Sequence, residues 1–152
     1  MKYKTHIMSG ALLGEIGAIG IGATAVGMLS DGHMFYHVAV IGGASILGSV
    51  FPDIDVRIPG LKHRTITHWP IPYVCGVLLG FLMRNNLFSF LCLGALIHIF
   101  LDSMTVSGVP LLSPFKKYKG FSFIRTDHFQ EIPLRLAMAC IFILIFSIGA
   151  GV

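Results

Sequence analysis

The chain has 152 residues, of which 55% are hydrophobic and 12% are charged, and it carries a formal net charge of +4. Its mean hydropathy of +0.81 excludes an ordinary soluble domain and indicates an integral membrane protein. No Pro/Ser-rich linker, charge block or internal repeat divides the sequence, so residues 1–152 are predicted to form a single domain.

Five apolar segments approach the length needed to cross the hydrocarbon core of a bilayer, which is about 20 residues. They cover residues 5–29, 34–52, 69–84, 87–106 and 133–151. We therefore predict an all-α polytopic membrane protein with about five transmembrane helices in one bundle. The many glycines of the first two segments would allow neighbouring helices to approach one another closely.

The positions of the lysines and arginines predict the orientation, because basic residues collect in cytoplasmic loops. With the N-terminus inside and the C-terminus outside, ten of the 11 basic residues fall on the inner side, and only Arg84 falls outside. This distribution indicates a multi-pass protein of the bacterial cytoplasmic (inner) membrane. The basic inner loops also suit anionic lipid headgroups, and we expect no nucleic-acid partner.

Histidines and aspartates collect at the inner ends of the predicted helices. These residues are His6, Asp53, Asp55, His63, His68, His98 and Asp102. His98 and Asp102 are i and i+4, so they share one helix face about 6 Å apart along the axis. Burial of such groups is costly unless something pairs with them, and their shared depth predicts a cytoplasm-facing metal site. His33 and His37 lie at the outer end of the second segment, and we expect them to be remote from the metal site.

The chemistry of these side chains indicates which metal they would bind. Imidazole and carboxylate together suit zinc, manganese or iron, with zinc as the leading candidate. Seven ligands exceed what one tetrahedral zinc ion uses. Either two ions lie about 3.5–4 Å apart, which we favour, or some of the residues orient ligating histidines without binding metal themselves.

A long inner segment, residues 107–132, precedes the last predicted helix, and such a segment is usually a functional loop. Residues 121–125 alternate like a short strand, which favours a β-hairpin here. Glu131 is a candidate catalytic base outside the ligand set, and the alternative is a carboxylate at a helix N-terminus. For Glu15, near mid-membrane, we favour a structural role over a role in a substrate channel.

Three motifs, in this order, resemble those of a known family. They are FPDID at 51–55, HRTITH at 63–68, and HIFLDSMT at 98–105 followed by GVPLLSP at 108–114. Their internal spacing is similar to that of the YdjM/YbcI-type inner-membrane metal-dependent hydrolases, which are also described as LexA-binding. The resemblance covers residues 6–131 and implies that the seven ligand candidates carry over, together with Arg64, Thr67 and Thr105. Thr65 and Trp69 depart from the usual Gly and Ser.

The leading functional hypothesis is a metal-dependent hydrolase that opens from the inner leaflet and cleaves a phosphoester or ester of a lipid or lipid-linked substrate. In this hypothesis Arg64 is catalytic, because with Lys62 it neutralises phosphate oxygens in the transition state. The sequence contains no GxSxG elbow. One alternative is a metal ion or proton transporter, which would carry polar residues through the bilayer. Another is a non-catalytic membrane regulator whose structural metal is fully enclosed by protein ligands.

Overall fold

The computed structural model describes residues 2–24, 33–60, 64–114, 121 and 131–150. Five α-helices are present: α1 Tyr3–Thr24, α2 His33–Val50, α3 Pro70–Leu82, α4 Asn86–Ser103 and α5 Glu131–Ala150. Two short 3₁₀ helices, Phe51–Arg57 and Ile66–His68, lie between α2 and α3. The described residues contain no β-strand. The all-helical class is therefore confirmed, with one helix for each of the five apolar segments.

The β-hairpin predicted within residues 107–132 is not supported. Residues 107–114 contain no strand, and residues 122–130, which hold most of the alternating segment, lie outside the described residues. The backbone N–H of Phe121 donates to the Ser103 carbonyl at 3.0 Å. This hydrogen bond connects the segment to the C-terminal end of α4.

The helices α1, α2 and α4 form the centre of the bundle, while α3 packs on α4 and α5 packs on α1. Small residues allow α2 and α4 to approach backbone to backbone. A Cβ atom at Gly48 would collide with the carbonyl of Leu91, and one at Gly94 would collide with the carbonyl of Ser45. This close approach is the packing mode of membrane helices, which gain van der Waals contact where small residues face one another.

Much of the outer surface of the bundle is apolar. Val38–Arg57 and Asn86–Ser103 are the segments of the described chain that are long and apolar enough to cross a membrane, and the apolar helix α3 has 13 residues. Leu47, Leu82 and Ile143 are each more than half exposed. A soluble monomer rarely exposes large contiguous apolar patches, whereas lipid tails would cover such side chains.

Replacement of Gly94 by Ala is expected to destabilise the bundle, because the new Cβ would collide with the Ser45 carbonyl on α2. Overpacking of this kind costs about 1–3 kcal/mol, and it would move α4 away from α2. Thermal unfolding in detergent measures the loss. Gly43→Ala is the matched control, since a Cβ there meets no atom of the described residues within 4 Å. Equal melting temperatures for the two variants would contradict this packing.

Candidate metal site

A proline ends α2 and begins the segment that carries two aspartates. Pro52 has no backbone N–H for a further α-helical hydrogen bond, and the chain winds from Phe51 to Arg57 as a 3₁₀ helix. Both Asp53 and Asp55 lie in this helix. The side chain of Asp55 is 1% exposed, whereas that of Asp53 is 27% exposed. Asp53 is therefore the carboxylate of this pair that reaches the surface.

Three imidazoles and two carboxylates from distant parts of the chain lie against one another. His98 Nε2 is 3.3 Å from His68 Nε2, and Asp53 Oδ1 is 3.5 Å from each of these nitrogens. Asp102 Oδ2 is 3.8 Å from His68 Nε2 and 3.9 Å from His98 Nε2. The His6 ring stacks on the His98 ring with centroids 3.7 Å apart, and its Nε2 is 3.5 Å from Asp102 Oδ1. We call these five side chains the donor cluster.

Neighbouring groups determine which nitrogen of each histidine faces the donor cluster. His98 Nδ1 is 2.6 Å from the Ser49 carbonyl. Because a carbonyl can only accept, Nδ1 carries the proton and Nε2 keeps its lone pair. His68 Nδ1 is 3.1 Å from Thr67 Oγ1, and this hydroxyl donates to Asp55 Oδ2 at 2.6 Å. The Thr67 oxygen therefore accepts from His68 Nδ1, and His68 Nε2 also presents a lone pair to the cluster.

In terms of hydrogen bonding, the atoms that face one another in the donor cluster are acceptors. Two nitrogen lone pairs 3.3 Å apart, with ionised carboxylates beside them, repel one another unless a cation or a proton lies among them. His6 adds two ring nitrogens that make no hydrogen bond with a described residue, although its side chain is only 1% exposed. Buried acceptors without donors are the environment that a metal ion satisfies.

The spacing of the cluster also fits a transition metal. Two ligands bound tetrahedrally to zinc at about 2.0–2.1 Å are about 3.3–3.4 Å apart, which is close to the separation of the two Nε2 atoms. Two sets of three residues overlap at His98. Within each set, the candidate ligand atoms all lie within 4.8 Å of one another. The first set is His6, His98 and Asp102, and the second is Asp53, His68 and His98. The residues present therefore fit a metal ion of the imidazole-and-carboxylate class.

Asp55 lies on the Nδ1 side of the His68 ring, away from the other members of the donor cluster. Its Oδ2 accepts a hydrogen bond from the Arg64 backbone N–H at 3.1 Å and is 3.4 Å from His68 Nδ1. A carboxylate near this nitrogen orients the ring and makes the opposite nitrogen a better ligand. Burial lowers the pKa of His68 below its ordinary value, against the opposing effect of Asp53. The imidazole is therefore in the neutral form that binds metal.

Arg64 lies at the edge of the donor cluster in a left-handed backbone conformation, with φ of 61°. Its Nη2 is 2.8 Å from Asp102 Oδ2. This ion pair and the hydrogen bond from its backbone N–H to Asp55 stabilise a conformation that costs a non-glycine residue about 1–2 kcal/mol. The Nε atom is buried and makes no hydrogen bond with a described residue. The guanidinium thus keeps one N–H donor that has no acceptor among the described residues.

Glu131, the candidate base, begins α5 and lies outside the donor cluster. Its carboxylate accepts hydrogen bonds from the Lys2 backbone N–H at 3.2 Å and from Thr5 Oγ1 at 2.8 Å. Within the described part of the chain, it makes no hydrogen bond or ion pair with a member of the cluster. Glu131 therefore occupies the helix-terminal position that the sequence gave as the alternative, and it connects the start of α5 to the start of α1.

Four polar residues named in the sequence analysis remain. His63 falls outside the described residues. His33 and His37 begin α2 and Asp53 follows its end, so roughly 25 Å of helix lies between them. Glu15 on α1 is fully buried, and neither of its carboxylate oxygens makes a hydrogen bond with a described residue. Glu15 is thus a buried carboxylate that does not belong to the donor cluster.

Sequence reasoning missed the backbone carbonyl of Ser49, which orients His98. No pattern of side chains marks a backbone acceptor, and the available signal is indirect. Gly48 and Gly94 indicate that α2 and α4 can approach closely, and only that approach brings the Ser49 carbonyl within reach of the His98 ring.

The sequence profile of the YdjM inner membrane protein family matches residues 1–152, and the chain belongs to this family. This membership agrees with the resemblance that the three motifs carry. The chain matches no curated protein and no solved structure. The family description specifies a membrane and does not specify a reaction.

Thr67→Val is expected to weaken metal binding about 10–100-fold, because it removes the hydroxyl between His68 Nδ1 and Asp55 that orients the ring. Thr67→Ser retains the hydroxyl and is the matched control. Competition with a chromophoric chelator, on protein purified in detergent, measures the affinity. If both variants bound zinc as tightly as the original chain, Thr67 would have no orienting role.

Proposed function

We propose that this member of the YdjM inner membrane protein family is a metal-dependent hydrolase acting on a phosphoester or ester of a lipid or lipid-linked substrate. The observation that carries the proposal is the pair of Nε2 acceptors of His68 and His98, 3.3 Å apart beside the carboxylates of Asp53 and Asp102. A metal cation among these acceptors would relieve their mutual repulsion, and imidazole with carboxylate is the ligand set of hydrolytic zinc, manganese and iron sites.

The donor cluster would hold the ion through His6, Asp53, His68, His98 and Asp102. When bound, the ion lowers the pKa of a water molecule and polarises the scissile group. Within the cluster, Asp53 has by far the largest exposure, 27% against about 1% or less for the other four. Water and the scissile group would therefore enter beside Asp53. An accessible position of this kind favours a catalytic site over a structural metal enclosed by protein.

Arg64 is the residue that we assign to the developing charge. Its guanidinium is paired with Asp102 at 2.8 Å, and its buried Nε has no acceptor among the described residues. A phosphoryl oxygen at the edge of the cluster would receive this N–H, and a charge-assisted hydrogen bond to an oxyanion strengthens as negative charge builds up. Glu131 has a structural part in this scheme, because its carboxylate binds the start of α1.

The proposed topology has five transmembrane helices, with the donor cluster on the cytoplasmic side. The helices α1 and α5 have 22 and 20 residues and extend about 33 and 30 Å, which is enough for the hydrocarbon core. The apolar outer surface and the family of inner membrane proteins support a multi-pass arrangement. Arg57 and Arg64 lie next to the donor cluster, and basic residues mark the cytoplasmic side.

A single observation favours a second candidate function, the transport of a metal ion or a proton. Glu15 is buried on α1, without a hydrogen-bond donor among the described residues, and intramembrane carboxylates commonly line ion pathways. In that case, ion flux into liposomes would be present and would be lost in Glu15→Gln. Hydrolysis would be absent from the same preparation.

Purified protein in nanodiscs is expected to release phosphate or headgroup from at least one member of a broad lipid panel when zinc, manganese or iron is supplied. His98→Ala should lose both the bound metal and the activity, because it removes the nitrogen shared by the two sets of three donors. His33→Ala, at the opposite end of α2, is the matched control and should retain both. If the protein without substitutions folded stably but bound none of these metals, the proposal would be refuted.

The number of ions is a separate test. The Nε2 atom of His98 has one lone pair and can bind one ion, so the two sets of three residues that share it cannot both be complete at the same time. A second ion, which we also propose, would need a donor outside the described residues, and His63 is the candidate. Metal analysis should give two ions per chain for the original protein and one for His63→Ala. One ion in both proteins would exclude the two-ion site.

A further inference from the structure

A groove leads from the donor cluster to the outside of the bundle. It has a volume of about 240 Å³ and is lined by Tyr3, Leu47, Val50, Phe51, Ile54 and Arg57, with Asp53 in its wall. Asp53 therefore belongs to both places: its Oδ1 is 3.5 Å from the His68 and His98 Nε2 atoms, and its exposed part lies in the groove. The groove is thus an opening of the site to the surface.

The wall of this groove combines apolar side chains with one cation. Tyr3, Leu47, Phe51 and Ile54 are exposed, and they expose apolar surface beside the site. Arg57 is also exposed, and it makes no ion pair with a described residue. It is the last residue of the membrane-length segment Val38–Arg57, so it lies where lipid headgroups would meet the protein.

We infer that this groove binds one acyl chain of an anionic glycerophospholipid, with Arg57 on the headgroup phosphate and the glycerol backbone, which carries the ester and phosphoester bonds, beside Asp53. The inference rests on the proposed function, because it treats the groove as the route of the substrate to the donor cluster. It adds a substrate class and a residue that determines specificity.

The size and the surroundings of the groove decide between occupants. Pockets that enclose a whole small ligand measure about 300–1,000 Å³, so a groove of about 240 Å³ accommodates part of a lipid while the rest stays in the bilayer. Leu47 continues the exposed apolar surface of α2, which would face lipid tails. The presence of a cation, Arg57, in the groove lining favours an anionic lipid, because basic residues near the membrane surface attract anionic headgroups.

Photocrosslinking tests the inference in nanodiscs of phosphatidylcholine that contain a trace of lipid with a diazirine in one acyl chain. With phosphatidylglycerol as the probe, we expect crosslinks at residues 47–57, several-fold more than with a phosphatidylcholine probe of the same chain. Leu47→Trp fills the groove and should remove most of these crosslinks. Leu78→Trp, at a leucine of α3 that is likewise more than half exposed, is the matched control and should not.

Arg57→Gln provides the second variant, and it leaves the apolar lining unchanged. It should abolish the preference for phosphatidylglycerol while bound metal, measured in the same samples, stays constant. The inference would be overturned if the two probes labelled the unsubstituted protein equally. It would also be overturned if Leu47→Trp did not reduce the labelling at residues 47–57.

Lipid hydrolysis assays on the same samples separate the two claims. If the groove is labelled in an Arg57-dependent manner but no lipid is hydrolysed, lipid binding in the groove is supported and the proposed function fails. If a lipid is hydrolysed without any label in the groove, the proposed function stands and this inference fails.

Discussion

The hydrogen bond from His98 Nδ1 to the Ser49 carbonyl, 2.6 Å long, is the contact on which the rest of the site depends. It sets the tautomer of His98, so that Nε2 carries the lone pair toward the other donors. It also requires α2 and α4 to pack backbone to backbone, which Gly48 and Gly94 permit. Helix packing and ligand chemistry are therefore one constraint in this protein, and a change in either would alter both.

The distribution of polar residues is the reverse of that in a soluble domain. The buried residues include His6, Glu15, His68, His98 and Asp102, whereas large apolar side chains lie on the outside. In a bilayer the apolar exterior costs nothing, because lipid tails resemble it, but each buried polar group must find a partner. A cation bound by the donor cluster, as we propose, would meet this requirement for its members collectively. The Ser49 carbonyl and the Thr67 hydroxyl are the partners of the His98 and His68 nitrogens that point away from the cluster.

The sequence predicts the helices and much of the donor set, because both depend on local information. Apolar segment length specifies the five helices, and the i, i+4 spacing of His98 and Asp102 specifies a shared face. The sequence cannot separate ligands from orienting groups. Asp55 looks equivalent to Asp53 in the sequence, yet only the tertiary position of the His68 ring decides which carboxylate meets Nε2 and which lies near Nδ1.

Glu131 illustrates a second limit of sequence reasoning. As an acidic residue next to a long inner segment, it is a reasonable candidate for a base. The packing of α5 against α1 brings its carboxylate to the Lys2 N–H and the Thr5 hydroxyl. Glu131 is 129 positions from Lys2 and 126 positions from Thr5 in the chain. No local sequence pattern encodes these hydrogen bonds.

The 3₁₀ winding of residues Phe51–Arg57 explains how two nearby aspartates come to lie on both sides of one imidazole. At three residues per turn, side chains at i and i+2 differ in direction by about 120°, whereas in an α-helix they would differ by about 160° and point to opposite faces. The tighter winding lets Asp53 reach His68 Nε2 at 3.5 Å while Asp55 lies 3.4 Å from Nδ1. Pro52 favours this winding because it cannot donate the hydrogen bond that would extend α2. The proline is therefore a determinant of the site, although its side chain offers no metal-binding atom.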